Sequence, residues 1–222
     1  MIRLLLHLGL MALPWSLRRR ALNAFFGYSI APTARIGFSV VAPEMLVMGE
    51  HAQIGHLSFI TKLRLLEMGE FCVLGSLNRV TAMPRTNTDF FILDPDRDPC
   101  LVMEPHSAIT NAHQIDCTDR VTIGAFATFA GWHSQILSHA IEFETPRQRA
   151  RPVTIGSYSF VGTRSVLLPG AVLPDHSILA AGSVLQRAMD ENYTLYGGVP
   201  AKAVKALDAD MGYFTRTTGF VH

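Results

Sequence analysis

Aliphatic residues recur at every sixth position along much of this chain. One unbroken series lies in the C-terminal half and a second in the N-terminal half: Ile155, Val161, Leu167, Leu173, Leu179 and Leu185, then Ile30, Ile36, Ala42, Met48, Ile54 and Ile60. An α-helix repeats its apolar face about every 3.6 residues and a β-strand every 2 residues. Neither element alone explains the spacing, but a short extended segment followed by a tight corner does.

The residues between the aliphatic positions indicate how the corners are built. The fourth residue after the aliphatic one is small in many repeats: Ala34, Ala52, Ser58, Ala127, Ser159, Ser165, Ala171, Ser177 and Ser183. Three segments and three corners close a triangle, so about eighteen residues make one rung, and rungs stack about 4.8 Å apart. The sequence therefore predicts an all-β fold, a parallel β-helix shaped as a triangular prism, over residues 28–188.

Two segments interrupt the repeat and are predicted to leave the prism as loops. They are residues 84–100, rich in Pro and Asp, and residues 139–152. Long loops on a rigid scaffold often carry function, so the chemistry is expected there. Residues 189–222 are predicted to form a tail with a short helix.

Residues 1–27 are predicted to form an amphipathic helical segment. The apolar run 4–13 is too short to span a bilayer, and Pro14 breaks it. The arginine run 18–20 follows the apolar stretch, which is the reverse of the order in a secretory signal. Two interpretations remain: a helix lying in a membrane interface, or a cap over the end of the core.

Composition and charge exclude some classes of function. Nineteen Lys and Arg residues against eighteen Asp and Glu residues give a formal net charge of +1, which provides no electrostatic footprint for nucleic acid. The cysteines, Cys72, Cys100 and Cys117, lack CxxC spacing. We interpret them as free thiols in a reducing compartment.

The six-residue repeat, the stretch "QILSHAIEFETPRQRARPVTIGSYSFVG" and the terminal "YGGVPAKAVKAL" together resemble the hexapeptide-repeat acyltransferases. The resemblance covers roughly residues 28–206 and applies in particular to the O-acetyltransferases of bacterial polysaccharide biosynthesis, of the colanic-acid and O-antigen type. It implies a left-handed β-helix, a homotrimer with active sites between neighbouring prisms, and transfer of an acetyl group from acetyl-CoA to a sugar hydroxyl. The free thiols and the N-terminal segment together favour a location in the cytoplasm, or at the inner face of the membrane.

His139, at the start of the second loop, matches the catalytic histidine of that family. Neutral imidazole suits removal of a proton from an alcohol that attacks a thioester. Asn111 and Asp116 are candidates to orient the imidazole or to contact the acceptor, and Glu142 is a weaker candidate. The alternative for Asn111 and Asp116 is a hydrogen bond to the backbone of a turn.

The same resemblance implies a set of residues for the coenzyme A donor. It places Thr163, Ala181, Gly182 and Arg187 along the donor groove, and Lys202 and Lys205 near the phosphates. Cations neutralise phosphates, although lysines on a terminal helix are often simply solvated. Residues 158–160 depart from the family pattern, because relatives often have tryptophan there.

Two rival functions follow from other features of the sequence. His113, His133 and His139 could ligate zinc, as in the β-helical carbonic anhydrases, but their spacing differs from that family's paired histidines, so no metal is expected. A non-catalytic β-helix that serves as an assembly scaffold is the second rival. A scaffold needs neither His139 nor the basic tail.

Overall fold

The chain winds as a left-handed parallel β-helix, which confirms the predicted fold class. This computed structural model describes residues 2–221, with their side chains from Leu5 onward. Met1, His222 and the side chain of Leu4, which the sequence assigned to the terminal segments, lie outside the described part.

Three sheets of short strands form the faces of the prism. The first sheet contains Ser29–Ile30, Met45–Met48, Leu65–Met68, Cys100–Met103, Val121–Ile123, Val153–Ile155 and Val172–Leu173. The second contains Arg35–Ile36, Gln53–Ile54, Val73–Leu74, Ala108–Ile109, Thr128–Phe129, Phe160–Val161, Ile178–Leu179, Thr194–Gly198 and Ala201–Ala206. The third contains Val40–Ala42, Phe59–Thr61, Arg79–Thr81, Gln114–Asp116, Gln135–Ile136, Val166–Leu167 and Val184–Leu185.

The corners are named by the sheets that they join. The first corner leads from the first sheet to the second, the second corner from the second to the third, and the third corner back to the first sheet of the next rung. Both predicted loops leave from the third corner: the first excursion (residues 84–100) after Arg79–Thr81, and the second excursion (residues 139–152) after Gln135–Ile136. The second excursion forms an antiparallel hairpin of His139–Glu142 with Arg147–Ala150.

The core consists of the predicted aliphatic residues, stacked in register from rung to rung. Met48 pairs with Met68, and Met68 with Met103. One position was wrong: Val41 rather than Ala42 points inward, with 2% of its surface exposed, and Val41 pairs with Ile60. The corner after Ile36 is one residue shorter than the repeat, and a shift of one residue moves a strand side chain to the opposite face.

Two helices, α1 (Ile2–Leu10) and α2 (Trp15–Phe26), cover the N-terminal end of the prism. The first rung has no rung before it to pair with its carbonyl groups. Side chains of α2 provide donors: Trp15 Nε1 donates to Ala34 O at 3.0 Å, and the Arg18 guanidinium donates to Gly37 O at 2.9 Å and to Ser39 O at 3.0 Å. These contacts support the cap interpretation.

The membrane interpretation of this segment loses part of its basis. Arg18 is 6% exposed, and Arg19 donates to Ile30 O at 3.1 Å, so these cations are engaged by the prism. Leu5, Leu17 and Phe25 nevertheless remain exposed. Within residues 2–221, no helix has both the length and the apolar character needed to cross a bilayer.

The C-terminal segment differs from the prediction of a tail with a helix after residue 188. Thr194–Gly198 continues the second sheet by parallel pairing with Ile178–Leu179, and Ala201–Ala206 pairs with it in antiparallel orientation. The helix is the single turn α3 (Gly212–Thr215). Phe214 of that turn packs edge-on against the rings of His176 and Tyr193 at the first corner, which fastens the tail to the prism.

Candidate active site

The third corner brings His139 together with Asp116. Nδ1 of His139 lies 2.6 Å from Oδ2 of Asp116, and their side chains are 32% and 12% exposed. The register explains the contact: Gln114–Asp116 and Gln135–Ile136 are neighbouring strands of the third sheet, and each side chain follows the end of its strand. Of the alternatives for orienting the imidazole, the structure places Asp116 there.

Asp116 is held by further hydrogen bonds from the corner. Its Oδ2 accepts from the backbone N of Ser138 at 3.0 Å and from the Ser138 hydroxyl at 3.1 Å. Its Oδ1 accepts from the backbone N of Thr118 at 3.1 Å and from the Thr118 hydroxyl at 2.6 Å. Burial alone would raise the pKa of Asp116, but the hydrogen bonds from His139, Thr118 and Ser138 outweigh burial and hold this pKa below its ordinary value.

An ionised Asp116 fixes the tautomer of the imidazole. The carboxylate can only accept, so Nδ1 of His139 carries the proton and donates it. Nε2 is then the nitrogen with a free lone pair, on a side chain that remains about one-third exposed. This arrangement of a carboxylate, an imidazole and an accessible Nε2 is suited to general-base chemistry.

The first excursion adds a wall to the site that the sequence did not predict. Phe91 is 2% exposed, and its ring meets the His139 ring edge-on, with centroids 6.0 Å apart. The Arg97 guanidinium stacks on the Phe91 ring, 4.3 Å from its centroid. It also donates to Met83 O and Thr118 O at 2.6 and 3.2 Å. The same loop therefore contacts the imidazole and the segment that holds Asp116.

The other predicted acceptor residues lie elsewhere. Asn111 is at the second corner, where its Oδ1 accepts from the backbone N of Ser76 at 2.7 Å, as in the turn alternative. Glu142 lies in the hairpin, where it accepts from the Thr145 hydroxyl at 2.6 Å and contacts Arg149 at 3.3 Å. Their contact with an acceptor stays a prediction.

The predicted donor residues fall into two groups. Arg187 lies at the C-terminal end of the third corner, where it lines both a cavity of about 400 Å³ beside the hairpin and one of about 420 Å³ that Lys202 also lines. Lys202 and Lys205 lie on the strand Ala201–Ala206 rather than on a helix. The remaining members are at the second corner: Thr163, Ala181 and Gly182.

The first of these cavities has a basic rim and an apolar floor. Arg151 and Arg187 are exposed at its edge, and Leu168, Pro169 and Ile141 line it. The cavity lies between the hairpin, which lines it from Ala140 onward, and Arg187, so a bound molecule there would extend from the strand that carries His139 toward Arg187. An elongated ligand with an apolar middle and an anionic end fits this lining.

The histidines of the zinc hypothesis have separate environments. His113 is 1% exposed and accepts from the backbone N of Ser134 at its Nδ1, 3.2 Å away. His133 is exposed, because its corner has one more residue than the corner of His113 and the equivalent buried position belongs to Ser134. Among residues 2–221, no cluster of three His, Cys, Asp or Glu side chains could hold a metal ion.

The cysteines are buried and unpaired. Cys117 directly follows Asp116 in sequence, but it is 0% exposed and its burial raises its pKa well above the ordinary value. Burial likewise raises the pKa of Cys100 to about 12. A thiol that is buried and protonated is a poor nucleophile.

Comparison with known proteins agrees with this architecture. No protein-family model matches the chain. A stretch of 64 residues is 31% identical to the galactoside O-acetyltransferase of Escherichia coli (strain K12), and it covers 28% of this chain and 31% of that protein. The aligned region thus spans less than a third of that relative's length.

Solved structures of related shape cover most of the chain. The polysialic acid O-acetyltransferase OatWY superposes with a TM-score of 0.61 at 15% identity, over 81% of this chain and 84% of that chain. A variant of the N-acyltransferase AntD from Bacillus cereus, in complex with dTDP and coenzyme A, has a TM-score of 0.50 at 12% identity, over 86% and 89% of the two chains. These likenesses confirm, at the level of the fold, the resemblance to the hexapeptide-repeat acyltransferases.

Proposed function

We propose that the protein is an O-acetyltransferase that moves an acetyl group from acetyl-CoA to a sugar hydroxyl, with His139 as general base. The observation that carries this proposal is the contact of 2.6 Å between Nδ1 of His139 and Asp116, which leaves Nε2 free to accept a proton. The names of two similar proteins, a galactoside and a polysialic acid O-acetyltransferase, support the reaction class and the kind of acceptor. A role in surface polysaccharide biosynthesis belongs to the same proposal.

The reaction then proceeds by direct transfer. Nε2 of His139 takes the proton of the acceptor hydroxyl as the oxygen attacks the thioester carbonyl carbon, and Asp116 stabilises the imidazolium that forms. The carbon–sulfur bond breaks, and the imidazolium passes its proton to the coenzyme A thiolate. The burial of Cys117 and Cys100 argues against a covalent acyl-enzyme formed on a cysteine.

Coenzyme A is proposed to occupy the two cavities that share Arg187. The apolar side chains Leu168 and Ile141 suit the pantetheine arm, while Arg151, Arg187 and Lys202 suit its phosphates. The coenzyme A present in the AntD complex supports this class of donor. This assignment places the thioester end beside the hairpin of His139.

A homotrimer is the proposed assembly. Thr163, Ala181 and Gly182 lie at the second corner, whereas His139 and Arg187 lie at the third corner, on the opposite edge of the third sheet. One prism cannot bring two of its own corners together. A neighbouring copy that packs along the groove would place its second corner beside the first copy's third corner.

The chain is proposed to work in the cytoplasm or at the inner face of the membrane. Three unpaired, buried cysteines are compatible with a reducing compartment. The exposed Leu5, Leu17 and Phe25 of the N-terminal helices provide an apolar surface for membrane contact.

The test is the rate of coenzyme A release with acetyl-CoA and a panel of sugar acceptors. His139→Ala is expected to lower kcat by at least about 10² while coenzyme A still binds, because the donor groove is built from other residues. His133→Ala, at an exposed corner, is the matched control and is expected to keep wild-type kcat.

Other outcomes would point to the rivals. Full activity in His139→Ala would refute the general-base mechanism. A wild-type protein that binds no coenzyme A and releases none with any acceptor would favour the scaffold. Loss of activity after chelation, with recovery on addition of zinc, would favour a metal enzyme.

A further inference from the structure

One carboxylate joins the two excursions at the active site. Oδ2 and Oδ1 of Asp94, in the first excursion, accept from Nε and Nη2 of Arg149, in the second, at 3.0 and 3.1 Å. Oδ2 also accepts from the backbone N of Ala150 at 2.9 Å. The Asp94 side chain is only 14% exposed, so this bidentate pair is largely shielded from water.

The position of this pair in the hairpin connects it to His139. Ala150 is the residue directly opposite His139 in the antiparallel hairpin, and Arg149 is opposite Ala140. Asp94 therefore holds, by both backbone and side chain, the strand that lies against the backbone of His139. Phe91, three residues before Asp94, meets the His139 ring itself.

The charges at this junction favour Asp94 over its neighbour as the main partner of Arg149. Glu142 makes a single contact with Arg149 at 3.3 Å and is 31% exposed, against two contacts and 14% for Asp94. Burial alone would raise the pKa of Asp94, but the hydrogen bonds from Arg149 and Ala150 outweigh burial and lower this pKa. The ionised Asp94 thus links two loops that extend from separate rungs.

We propose that Asp94 is a positioning residue: by fastening Arg149 and Ala150 to the first excursion, it holds the His139 imidazole against Phe91 and in line with Asp116. The proposal rests on the proposed function for its effect on turnover. Its structural part, the fixed orientation of the His139 ring, does not depend on which acceptor is used. A ring misplaced by about 1 Å can cost about 10² in rate.

The test compares two variants of Asp94 with a matched control in the same loop. Asp94→Ala removes both contacts, and Asp94→Asn keeps an acceptor for Ala150 but loses the charge. Asp98→Ala is the control, because Asp98 binds Arg64 and Arg120 at the base of the loop, at 2.5 and 2.6 Å, away from the hairpin. kcat is measured at saturating acetyl-CoA, and the His139 ring signals are recorded by NMR with labelled histidine, assigned with His139→Ala.

Support requires both readouts to change together. We expect kcat to fall about 10- to 100-fold in Asp94→Ala and less in Asp94→Asn, with shifted or broadened His139 signals, while Asp98→Ala lowers the melting temperature but keeps both readouts. Unchanged kcat and unchanged His139 signals in folded Asp94→Ala would overturn the proposal. So would an equal loss of kcat in Asp98→Ala.

The failure of the proposed function would look different. If the wild-type protein transfers no acetyl group, kcat carries no information, and the NMR comparison alone decides. Perturbed His139 signals in Asp94→Ala but not in Asp98→Ala would then support the positioning role without the reaction, and unperturbed signals would overturn it.

Discussion

His113 makes the stability of the fold depend on pH in a way that can be calculated. The ring is 1% exposed, and burial lowers its pKa to about 4. Nδ1 accepts from the backbone N of Ser134, so the proton is on Nε2, which donates to the Thr110 hydroxyl at 3.0 Å. The folded protein therefore holds a neutral His113 down to a pH at which an unfolded histidine is already charged.

The sign and size of the effect follow from the two pKa values. An unfolded histidine has a pKa of about 6.5, so as the pH falls the unfolded state binds the proton first, and stability decreases. The contribution of His113 to the free energy of unfolding is complete above about pH 6.5 and is lost progressively toward pH 4. A difference of 6.5 − 4 = 2.5 pKa units is worth about 3 kcal/mol in total, and about 2 kcal/mol of it is lost by pH 5.

The assay is denaturant unfolding at pH 7 and pH 5, at a fixed protein concentration, for the wild type and His113→Asn. Asparagine is a natural choice, because Asn78 is buried at the equivalent corner position one rung earlier, and its Oδ1 accepts from the backbone N of His113 at 2.9 Å. We expect the free energy of unfolding to fall by about 2 kcal/mol more in the wild type than in the variant. The other histidines are common to both proteins and cancel.

A second comparison isolates burial as the cause. His133→Asn removes a neighbouring histidine that also contributes to the lowered pKa of His113, and most of the pH dependence of the wild type should remain, because burial is the larger cause. Equal losses of stability between pH 7 and pH 5 in the wild type and His113→Asn would refute the reasoning. The acid side of an activity profile should accordingly be measured where the protein remains folded.

The remaining predictions concern the assembly, the N-terminal helices and the donor groove. Sedimentation equilibrium should give a trimer, and a fully active monomer would contradict the proposed assembly. Deletion of residues 2–26 should expose the carbonyl groups of the first rung and lower the melting temperature, as measured by circular dichroism; a deleted protein that is equally stable but no longer binds anionic vesicles would favour the membrane interpretation instead. Arg187→Ala should raise the KM for acetyl-CoA with little change in kcat, and an unchanged KM would argue against the donor groove.

Most of the prism could be predicted, because the repeat is a local property of the sequence. Each inward aliphatic position requires only the corner before it to have the standard length. The prediction was wrong at Ala42, because the corner before Val41 is one residue shorter than the repeat, and the six-residue spacing also fails before Ser134, where the corner is one residue longer. Counting in steps of six does not reveal an insertion or a deletion inside a corner. It becomes apparent only when the aliphatic pattern resumes in the next strand.

The C-terminal strand shows a different limit. Residues 201–206, "AKAVKA", have a composition that favours a helix, yet they form a strand. Its pairing with Thr194–Gly198 satisfies the edge of the second sheet, and such tertiary context overrides weak local preference. Lys202 and Lys205 consequently lie on an edge strand of the second sheet rather than on a helix.

Part of the candidate site likewise follows from local sequence information, and part depends on contacts between distant residues. The spacing of the repeat places both excursions at the third corner, with Asp116 on the rung between them, so their meeting follows from the count of residues alone. The pairing of Asp94 with Arg149 does not follow, because 55 residues separate them and each loop contains other charges. The pair depends on Ala150, which lies opposite His139 in the hairpin. Asp94 accepts from the backbone N of Ala150, and this contact places its carboxylate beside the guanidinium of the neighbouring Arg149. The catalytic hypothesis could thus be read from a repeat and a resemblance, whereas the residue proposed to position His139 became visible only in the folded chain.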